Sequence, residues 1–202
     1  MAVYTQLSAA ALSSLISAYE VGELVSAKGI AEGVSNSNWL IETSCNRYIL
    51  TMYERRIDLA DLPFFLGLLD HLASKGCPVP RTIHDRAGDA FRMIDAGNAR
   101  KAVALIEFLP GVSVDQPTAA QAFSVGAVLA QMHLAAADYP AARANDLGPV
   151  SSAQVLAGCG AAALARIDPA LPAAIGAAEA VARDWPQGLP QSVIHSDLFP
   201  DN

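Results

Sequence analysis

The residues His195-Ser196-Asp197-Leu198-Phe199-Pro200-Asp201-Asn202 decide the interpretation of this chain of 202 residues. They follow the apolar pair Val193-Ile194 directly. Phosphoryl transfer to a hydroxyl needs a carboxylate that orients the hydroxyl proton, and neutral oxygen ligands for Mg²⁺. The spacing can place Asp197 and Asn202 on opposite sides of one phosphate, while His195 can brace the loop through hydrogen bonds. If the stretch serves that chemistry, Asp197 and His195 are its catalytic-loop residues and Asn202 is its metal ligand.

The spacing of these residues also matches the pattern H-x-D-L-x-x-x-N of protein-kinase catalytic loops. Short patterns arise by chance as well. The alternative that His195, Asp197 and Asn202 are ordinary polar loop residues after a strand therefore stays open at this point. The organisation of the rest of the chain favours the catalytic interpretation.

The preceding sequence is rich in strands in its first half and helical in its second half. The predicted elements are a helix within residues 1–25, a hairpin of 39–41 and 47–53, a helix from 61 to 75, strands at 81–84, 91–94 and 102–108, helices from 117 onward and over about 153–184, and a strand at 191–194. The helix from 61 to 75 carries the clearest signals, because Asp61-Leu62-Pro63 favours its start and Lys75-Gly76 its end.

The segment Leu109-Pro110-Gly111 is a candidate hinge between two lobes. Residues 1–108 are predicted to form an antiparallel-sheet lobe with one long helix. Residues 109–202 are predicted to begin a helical lobe. The expected fold class is α/β in the broad sense, more narrowly α+β, with two lobes around one cleft.

Two further segments are candidate nucleotide contacts. Ser35, Asn36, Ser37 and Asn38 belong to a polar, turn-rich stretch over residues 29–38 that leads into the first predicted strand, and small polar residues in such a loop can present backbone N–H groups to phosphates. The segment from Glu107 to Leu109 can offer backbone groups to an adenine edge. Each also has a plain interpretation, since Asn and Ser are common turn formers and a strand can simply end at 108. His133 is interpreted as a packed helix residue.

The chain is acidic, with 13 Lys and Arg against 20 Asp and Glu and a formal net charge of −7. Nucleic-acid binding depends largely on cations that neutralise phosphates, so no nucleic-acid partner is expected. No secretory signal is visible, and no uncharged apolar run of about 18 residues is evident, so no membrane span is expected. The separated cysteines Cys45, Cys77 and Cys159 favour the reducing cytoplasm.

Taken together, the sequence resembles the homoserine kinases built on the aminoglycoside-phosphotransferase, protein-kinase-like fold. The segments that carry the resemblance are residues 29–38 (GIAEGVSNSN), 48–55 (YILTMYER), 62–65 (LPFF), 68–70 (LLD), 76–80 (GCPVP), 129–133 (LAQMH) and 195–202 (HSDLFPDN). The catalytic loop is shared across that superfamily. The Ser-Asn-Ser-Asn loop followed by Tyr-Ile-Leu-Thr points to homoserine as the acceptor.

The resemblance implies phosphorylation of the L-homoserine hydroxyl by ATP with Mg²⁺, a step of threonine biosynthesis, in the cytoplasm. It implies Asp197 as the catalytic carboxylate and Asn202 as a magnesium ligand. It also implies Ser35 to Asn38 over the ATP phosphates, with Glu107 and Leu109 at the adenine. The alternatives are another small-molecule kinase of this fold, acting on choline, methylthioribose or an aminoglycoside, and a non-catalytic nucleotide-binding module.

The sequence departs from the pattern of this fold in two places on the first lobe. Thr51 stands where such kinases carry a lysine that contacts the α- and β-phosphates. Gly67 stands where the carboxylate partner of that lysine is expected. The two losses are consistent with each other, because a buried glutamate without its cation is costly. Arg55 and Arg56 are candidate replacements for the cation.

The given sequence ends at the last residue of the motif, Asn202, without the second metal carboxylate and the helices that would wall the acceptor site. A kinase of this fold needs both. The chain is therefore expected to be a fragment that does not turn over ATP alone and that exposes apolar surface. The oligomeric state cannot be read from the sequence.

Overall fold

The fold is described from a computed structural model that covers residues 5–30, 36–54, 58–97, 99–112 and 114–199. The chain divides into two compact units. One comprises Met1–Ala141 together with Ser192–Asn202, and the other comprises Ala142–Gln191. The predicted lobe boundary between residues 108 and 109 stays a prediction.

The structure contains six helices and six strands within the described residues. The helices are α1 (Ala9–Ile16), α2 (Leu62–Ser74), α3 (Ala119–Ala136), α4 (Pro149–Cys159), α5 (Ala161–Ile167) and α6 (Ala173–Arg183). The strands are β1 (Leu24–Ile30), β2 (Asn36–Thr43), β3 (Arg47–Tyr53), β4 (Thr82–Ile83), β5 (Arg92–Ala96) and β6 (Ala99–Glu107). A single 3₁₀ turn, Leu59–Asp61, precedes α2.

The six strands form one antiparallel sheet in the order β1-β2-β3-β6, in which β6 also pairs with β4 and with β5. The predicted hairpin is confirmed, because β2 pairs with β3 from Asn36 opposite Tyr53 to Glu42 opposite Arg47. Side chains alternate between the two faces of a strand. This register therefore fixes which residues of β2 and β3 share a face.

One face of the sheet packs against α1 and forms the main core. The buried residues of this core are Leu12, Leu15, Ile16, Tyr19, Val21, Trp39, Ile41, Tyr48, Leu50, Met52, Ala96, Val103 and Leu105. The members from β2, β3 and β6 recur at every second position, as expected for a strand with one face buried. A slip of one residue would move these side chains to the other face, so their burial specifies the register.

Helix α2 begins and ends where the sequence predicts. Pro63 lies in its first turn, where the missing N–H has no partner to lose. Gly76 follows its C-terminus at a φ of 78°, a left-handed conformation that glycine adopts without steric cost. The carboxylate of Asp138, just after α3, accepts hydrogen bonds from Lys75 and from Nε2 of His71 at 3.0 Å. These contacts attach the end of α3 to α2.

The beginning of the chain differs from the prediction. The first helix covers only Ala9–Ile16, and residues from Leu24 to Ile30 form strand β1 instead of the end of a helix and a polar turn. The interior residues of β1 are exposed, so the strand has no alternating apolar pattern that would reveal it. Its backbone pairing with β2 holds it in the sheet.

The predicted strand at residues 191–194 is wrong. These residues have no regular secondary structure, since no described strand pairs with them. Val193 instead packs against the small cluster of Leu72, Cys77 and Ala136, which joins α2 to α3. The residues that lead into the predicted catalytic loop are thus anchored through side-chain packing.

Helix α3 exposes most of its apolar residues, including Phe123 at 80% and Leu134 at 78% exposure. By length and composition alone it could cross a membrane, contrary to the expectation from the sequence, and the bent pair α4 and α5 passes the same test when taken as one broken span. Core helices of soluble proteins have the same length and composition. These two properties therefore do not assign α3 to a membrane.

The second unit contains the alanine-rich helices α4, α5 and α6. The predicted helical region begins earlier than expected, at Pro149, and its first break falls at Gly160, which has a φ of 76°. Within the unit, α4 packs mainly against α6. A second break separates α5 from α6 near Pro169 and Pro172, as predicted.

Candidate nucleotide and phosphoryl-transfer site

The strand that carries Asn36, Ser37 and Asn38 presents its side chains alternately to the two faces of the sheet. Ser37 is fully buried on the α1 side, whereas Asn36 and Asn38 are half-buried on the opposite face. The hydroxyl of Thr51 donates a hydrogen bond to Oδ1 of Asn38 at 2.9 Å. Thr51 therefore binds the neighbouring strand in the position where a phosphate-binding lysine was expected.

The face that carries Asn38 is lined by small residues on β6. Ala104 lies opposite Thr51 in the register and is fully buried, as is Ala102 opposite Tyr53. Oδ1 of Asn36 is also buried, with no hydrogen-bond partner in the described part of the chain. This second face of the sheet therefore carries small side chains on β6 and, at one end, a buried amide oxygen of Asn36 that can still accept a hydrogen bond.

A buried polar network lies on the α1 face, directly behind Asn36 and Asn38. It consists of Thr5, Ser37, Glu54 and Lys101. Ser37 Oγ donates to Glu54 Oε1 at 2.6 Å, and Thr5 Oγ1 donates to Glu54 Oε2 at 3.0 Å. Lys101 donates to the same Oε2 and to Thr5 Oγ1, the latter at 2.6 Å. The network joins β2, the end of β3 and β6 to the N-terminal segment.

The carboxylate of Glu54 is the centre of this network, and its side chain is only 3% exposed. Burial raises the pKa of Glu54, but the hydrogen bonds from Lys101, Ser37 and Thr5 lower it by a larger amount. The net pKa therefore lies below the ordinary 4.5. A carboxylate with a lowered pKa contributes stability above pH 4.5, and the contribution is lost as the pH falls through the folded-state pKa. Glu54 is therefore ionised at neutral pH.

The network was not predicted from the sequence, although Glu54 lies in one of the motifs. Ser37 shares a face with Met52 and Val103, its neighbours across the sheet, and Lys101 lies two residues along β6 from Val103. Lys101 is therefore on the face opposite Thr51 and does not replace the missing lysine there. A cavity of about 190 Å³ opens beside the ion pair of Glu54 and Lys101. It is lined by Tyr53, Glu54, Leu59, Ala99, Arg100, Lys101 and Ala102.

The predicted adenine segment lies at the end of β6. The backbone N–H of Glu107 donates to the carbonyl of Arg81 at 2.9 Å, so this N–H is already used within the sheet. Leu109 is 46% exposed and lies beyond the last strand residue. Phe108 lies between Glu107 and Leu109. The guanidinium of Arg47, on β3, is 4.6 Å from the centre of its ring, and this contact holds Phe108 against β3.

The predicted catalytic loop is described from His195 to Phe199. Ser196 has a φ of 66°, and it is the only described residue other than glycine with a positive φ. Such a conformation costs about 1–3 kcal/mol and is concentrated at functional sites. Asp197 and His195 are both exposed. His195 has no hydrogen-bond partner among the residues described, so its bracing role stays a prediction.

Several predicted site residues lie outside the described residues. They are Ser35, Asn202 and the candidate cations Arg55 and Arg56. Within the described residues, no group of three or more His, Cys, Asp or Glu side chains is arranged to hold a metal ion. Nε2 of His133 on α3 is buried and lacks a hydrogen-bond partner in that same part of the chain.

Gly67 on α2 lies against the side chain of Tyr139, from the segment after α3. A Cβ at this position would lie 2.7 Å from the hydroxyl oxygen of Tyr139, which itself donates to the carbonyl of Phe64 at 2.8 Å. The ring of Tyr139 also contacts Phe64 edge-on, with centroids 5.4 Å apart. The space that the expected carboxylate side chain would need is thus filled by the hydroxyl of Tyr139, from a distant segment.

The variant Gly67→Ala is expected to lower the free energy of unfolding by about 1–3 kcal/mol, because the new methyl group displaces the Tyr139 hydroxyl. In a Tyr139→Phe background the same change should be neutral or stabilising by up to about 1 kcal/mol, the helix-propensity gain of alanine over glycine. Urea unfolding of the four proteins in this double-mutant cycle measures the difference. Equal costs in both backgrounds would contradict the steric explanation.

Asp70 lies three residues after Gly67 on α2. Its carboxylate binds β4 and the residue that follows it, not the sheet face that carries Thr51. Its Oδ1 accepts from the backbone N–H of Thr82 at 3.0 Å, and its Oδ2 lies 2.7 Å from Nε2 of His84. The hydrogen bond to Asp70 is the main cause of a raised pKa of His84, and the carbonyl of Gly88 adds to it. Asp70 therefore joins α2 to the sheet edge.

The variant Asp70→Asn is expected to lower the pKa of His84 towards its ordinary value of 6.5. A raised histidine pKa contributes stability below pH 6.5 that is lost as the pH rises through the folded-state pKa. Since the pair is partly exposed, its contribution is below about 1 kcal/mol. An NMR titration of the imidazole C–H resonances measures the change. The control Asp138→Asn should leave the His84 titration unaltered, and a His84 pKa that stays raised in Asp70→Asn would refute the assignment.

Comparison with known proteins gives both a family and close relatives. A model of the phosphotransferase enzyme family (APH) matches residues 26–202. The whole chain is 45% identical to a homoserine kinase of Xanthobacter autotrophicus and 48% identical to one of Hyphomonas neptunium. It covers 62% and 61% of their lengths, so the chain spans less than two thirds of these relatives.

Two solved structures resemble the fold at low sequence identity. A spectinomycin phosphotransferase is matched with a TM-score of 0.58 at 13% identity, over 95% of this chain and 63% of that protein. A microcompartment-associated aminopropanol kinase is matched with a TM-score of 0.56 at 16% identity, over 79% of this chain and 57% of that protein. These likenesses confirm the predicted α+β, kinase-like fold.

Proposed function

Because the chain belongs to the phosphotransferase enzyme family, we propose that the protein of which it is part transfers the γ-phosphoryl group of ATP to the side-chain hydroxyl of L-homoserine. The observation that carries the proposal is the identity of 45% to 48% with homoserine kinases over the entire chain. The proposal includes a cytoplasmic location and a role in threonine biosynthesis.

Asp197 orients the homoserine hydroxyl and accepts its proton as the bond between that oxygen and the γ-phosphorus forms. The bond from the γ-phosphorus to the bridging oxygen of ADP breaks, and ADP leaves with the electron pair. The exposed position of Asp197 in a loop held by Val193 supports this role, since the carboxylate must reach a bound substrate. His195 is proposed to hold the loop backbone.

The second face of the sheet, with Asn36 and Asn38, is proposed to hold the nucleotide. The hydrogen bond from Thr51 uses the carbonyl oxygen of Asn38, which leaves the amide NH₂ of Asn38 as a donor for a phosphate oxygen. The backbone of Ser35 and Ser37 is proposed to contribute further N–H donors. Glu107 and Leu109 are proposed to contact adenine, with Leu109 as the backbone donor because the N–H of Glu107 is already used.

The oxygen donors of Asp197 and Asn202 fit Mg²⁺, a hard cation that binds carboxylate and amide oxygens. Asn202 is proposed as the ligand in this chain. When bound, Mg²⁺ neutralises charge on the β- and γ-phosphate oxygens. The orientation and deprotonation of the acceptor hydroxyl remain the work of Asp197.

The test is a coupled assay of ADP release by the full-length protein with L-homoserine, and separately with choline, methylthioribose and an aminoglycoside. The expected result is a kcat/KM for L-homoserine at least 100-fold above that for the other acceptors. Turnover with one of the others and none with L-homoserine would assign a different acceptor on the same fold. ATP binding without turnover of any acceptor would instead support a nucleotide-binding module.

A further inference from the structure

The buried polar network of Thr5, Ser37, Glu54 and Lys101 has a consequence for the nucleotide face, although none of its side chains lies on that face. We propose that Glu54 is a positioning residue for ATP. It fixes Ser37 on the buried side of β2 and thereby keeps Asn36 and Asn38 turned towards the nucleotide. The inference rests on the proposed function, because it concerns how that site is held.

The first step of the argument is the register of β2. A slip of one residue moves every side chain of a strand to the other face of the sheet. From Trp39 to Thr43 the inward residues include Trp39 and Ile41, both buried in the main core, which specify the register there. Between Asn36 and Asn38 no apolar residue does so, and Ser37 is the only inward side chain.

The second step is the strength of the anchor that Ser37 meets. Its hydroxyl donates to Glu54 at 2.6 Å and lies 3.5 Å from the backbone nitrogen of Thr5, which donates to it. Glu54 is held in turn by Lys101 from β6. Hydrogen bonds to an ionised acceptor are roughly twice as strong as neutral ones. Ser37 is therefore bound to a fixed charge rather than to a mobile side chain.

The third step is the place of the anchor relative to the candidate nucleotide contacts. Ser37 stands directly between Asn36 and Asn38, and Asn38 is bonded to Thr51 on the opposite face. Because alternate residues point to opposite faces, an inward Ser37 forces both neighbours outward. Loss of the hydrogen bond between Ser37 and Glu54 would free the end of β2 where the phosphate contacts are proposed, although neither side chain touches the nucleotide.

The test compares Glu54→Gln and Ser37→Ala with Asp85→Asn. Asp85 is a suitable control because its side chain is fully buried and is paired with Arg92 on the same sheet, but it has no bond to β2. For each variant the dissociation constant of a fluorescent ATP analogue is measured on the full-length protein. KM for ATP and kcat are measured on the full-length protein, and Tm is recorded for every variant.

The expected result is a 5- to 20-fold higher dissociation constant and KM for ATP in Glu54→Gln and Ser37→Ala, with kcat within threefold of the wild type. Asp85→Asn should lower Tm and leave the ATP affinity within twofold. Hydrogen exchange of the peptide that contains residues 36–43 should be faster only in the first two variants. Ser37→Ala removes one hydroxyl and keeps the pair of Glu54 and Lys101, so it provides the test if Glu54→Gln does not fold.

Unchanged ATP affinity in Ser37→Ala and Glu54→Gln would overturn the proposal, whatever happens to Tm. A rise in the dissociation constant of Asp85→Asn as large as that of the other two would also overturn it, because general destabilisation would then explain the loss. The proposed acceptor is tested separately. ATP binding by the wild type without phosphorylation of L-homoserine would remove that acceptor and leave the role of Glu54 standing.

Discussion

Replacement of Asp197 by asparagine in the full-length protein is expected to lower kcat by about 10²–10⁴-fold, the usual contribution of a positioned general base. Asparagine keeps the shape of the side chain and removes the group that accepts the hydroxyl proton. ATP binding should be little changed, because the proposed nucleotide contacts lie on β2 and at the end of β6. Steady-state ADP release with L-homoserine gives kcat, and titration with a fluorescent ATP analogue gives the affinity.

The matched control is Asp201→Asn, the same chemical change in the same loop motif. Asp201 falls on one of the unspecified positions of the pattern H-x-D-L-x-x-x-N, so this variant should retain kcat within about threefold. A near-wild-type kcat in Asp197→Asn would refute the role assigned to Asp197. Equal losses in both variants would mean that the negative charge of the loop matters rather than one carboxylate.

The hairpin and helix α2 could be predicted from the sequence because each carries a local signal, whereas the catalytic loop rests on a motif and stays a prediction. Two runs rich in β-branched and aromatic residues, joined by a short turn that contains Asn46, are typical of a hairpin, and Pro63 and Gly76 limit α2 at either end. These signals depend on neighbours a few residues apart, so one sequence suffices to read them. Strand β1 lacks such a signal because its interior is exposed.

The features that the sequence did not predict depend on contacts between distant segments. By sequence alone Gly67 indicates only the loss of a carboxylate, whereas the structure shows that the side chain of Tyr139, 72 positions further along, lies against it. Likewise Ser37 was grouped with Asn36 and Asn38 as one polar loop. Only the pairing of β2 with β3 reveals that Ser37 faces away from the other two.

The same long-range contacts explain why the missing lysine could not be located by motif alone. The sequence showed that Thr51 carries no charge, and it offered the arginines at 55 and 56 as replacements. The structure adds that Lys101 is committed to Glu54 on the opposite face. Lys101 is therefore excluded as the phosphate-binding cation on the face that carries Thr51, and the assignment to Arg55 or Arg56 stays a prediction.

The core between α1 and the sheet is expected to supply much of the stability of the first unit. Leu50 lies on the central strand β3 and is fully buried against this core. The variant Leu50→Ala should lower the free energy of unfolding by about 2–5 kcal/mol, through lost burial and the cavity that remains. Since a domain is stable by only about 5–15 kcal/mol, this is a large fraction of the total.

Leu134→Ala is the matched control, because it removes the same atoms from a side chain that is 78% exposed on α3. Its effect should be within about 0.5 kcal/mol. Urea unfolding is followed through Trp39, a member of the same core, in a Trp185→Phe background that removes the other tryptophan, which lies in the second unit. A loss in Leu50→Ala no larger than in Leu134→Ala would show that the packing of α1 on the sheet does not hold this unit together.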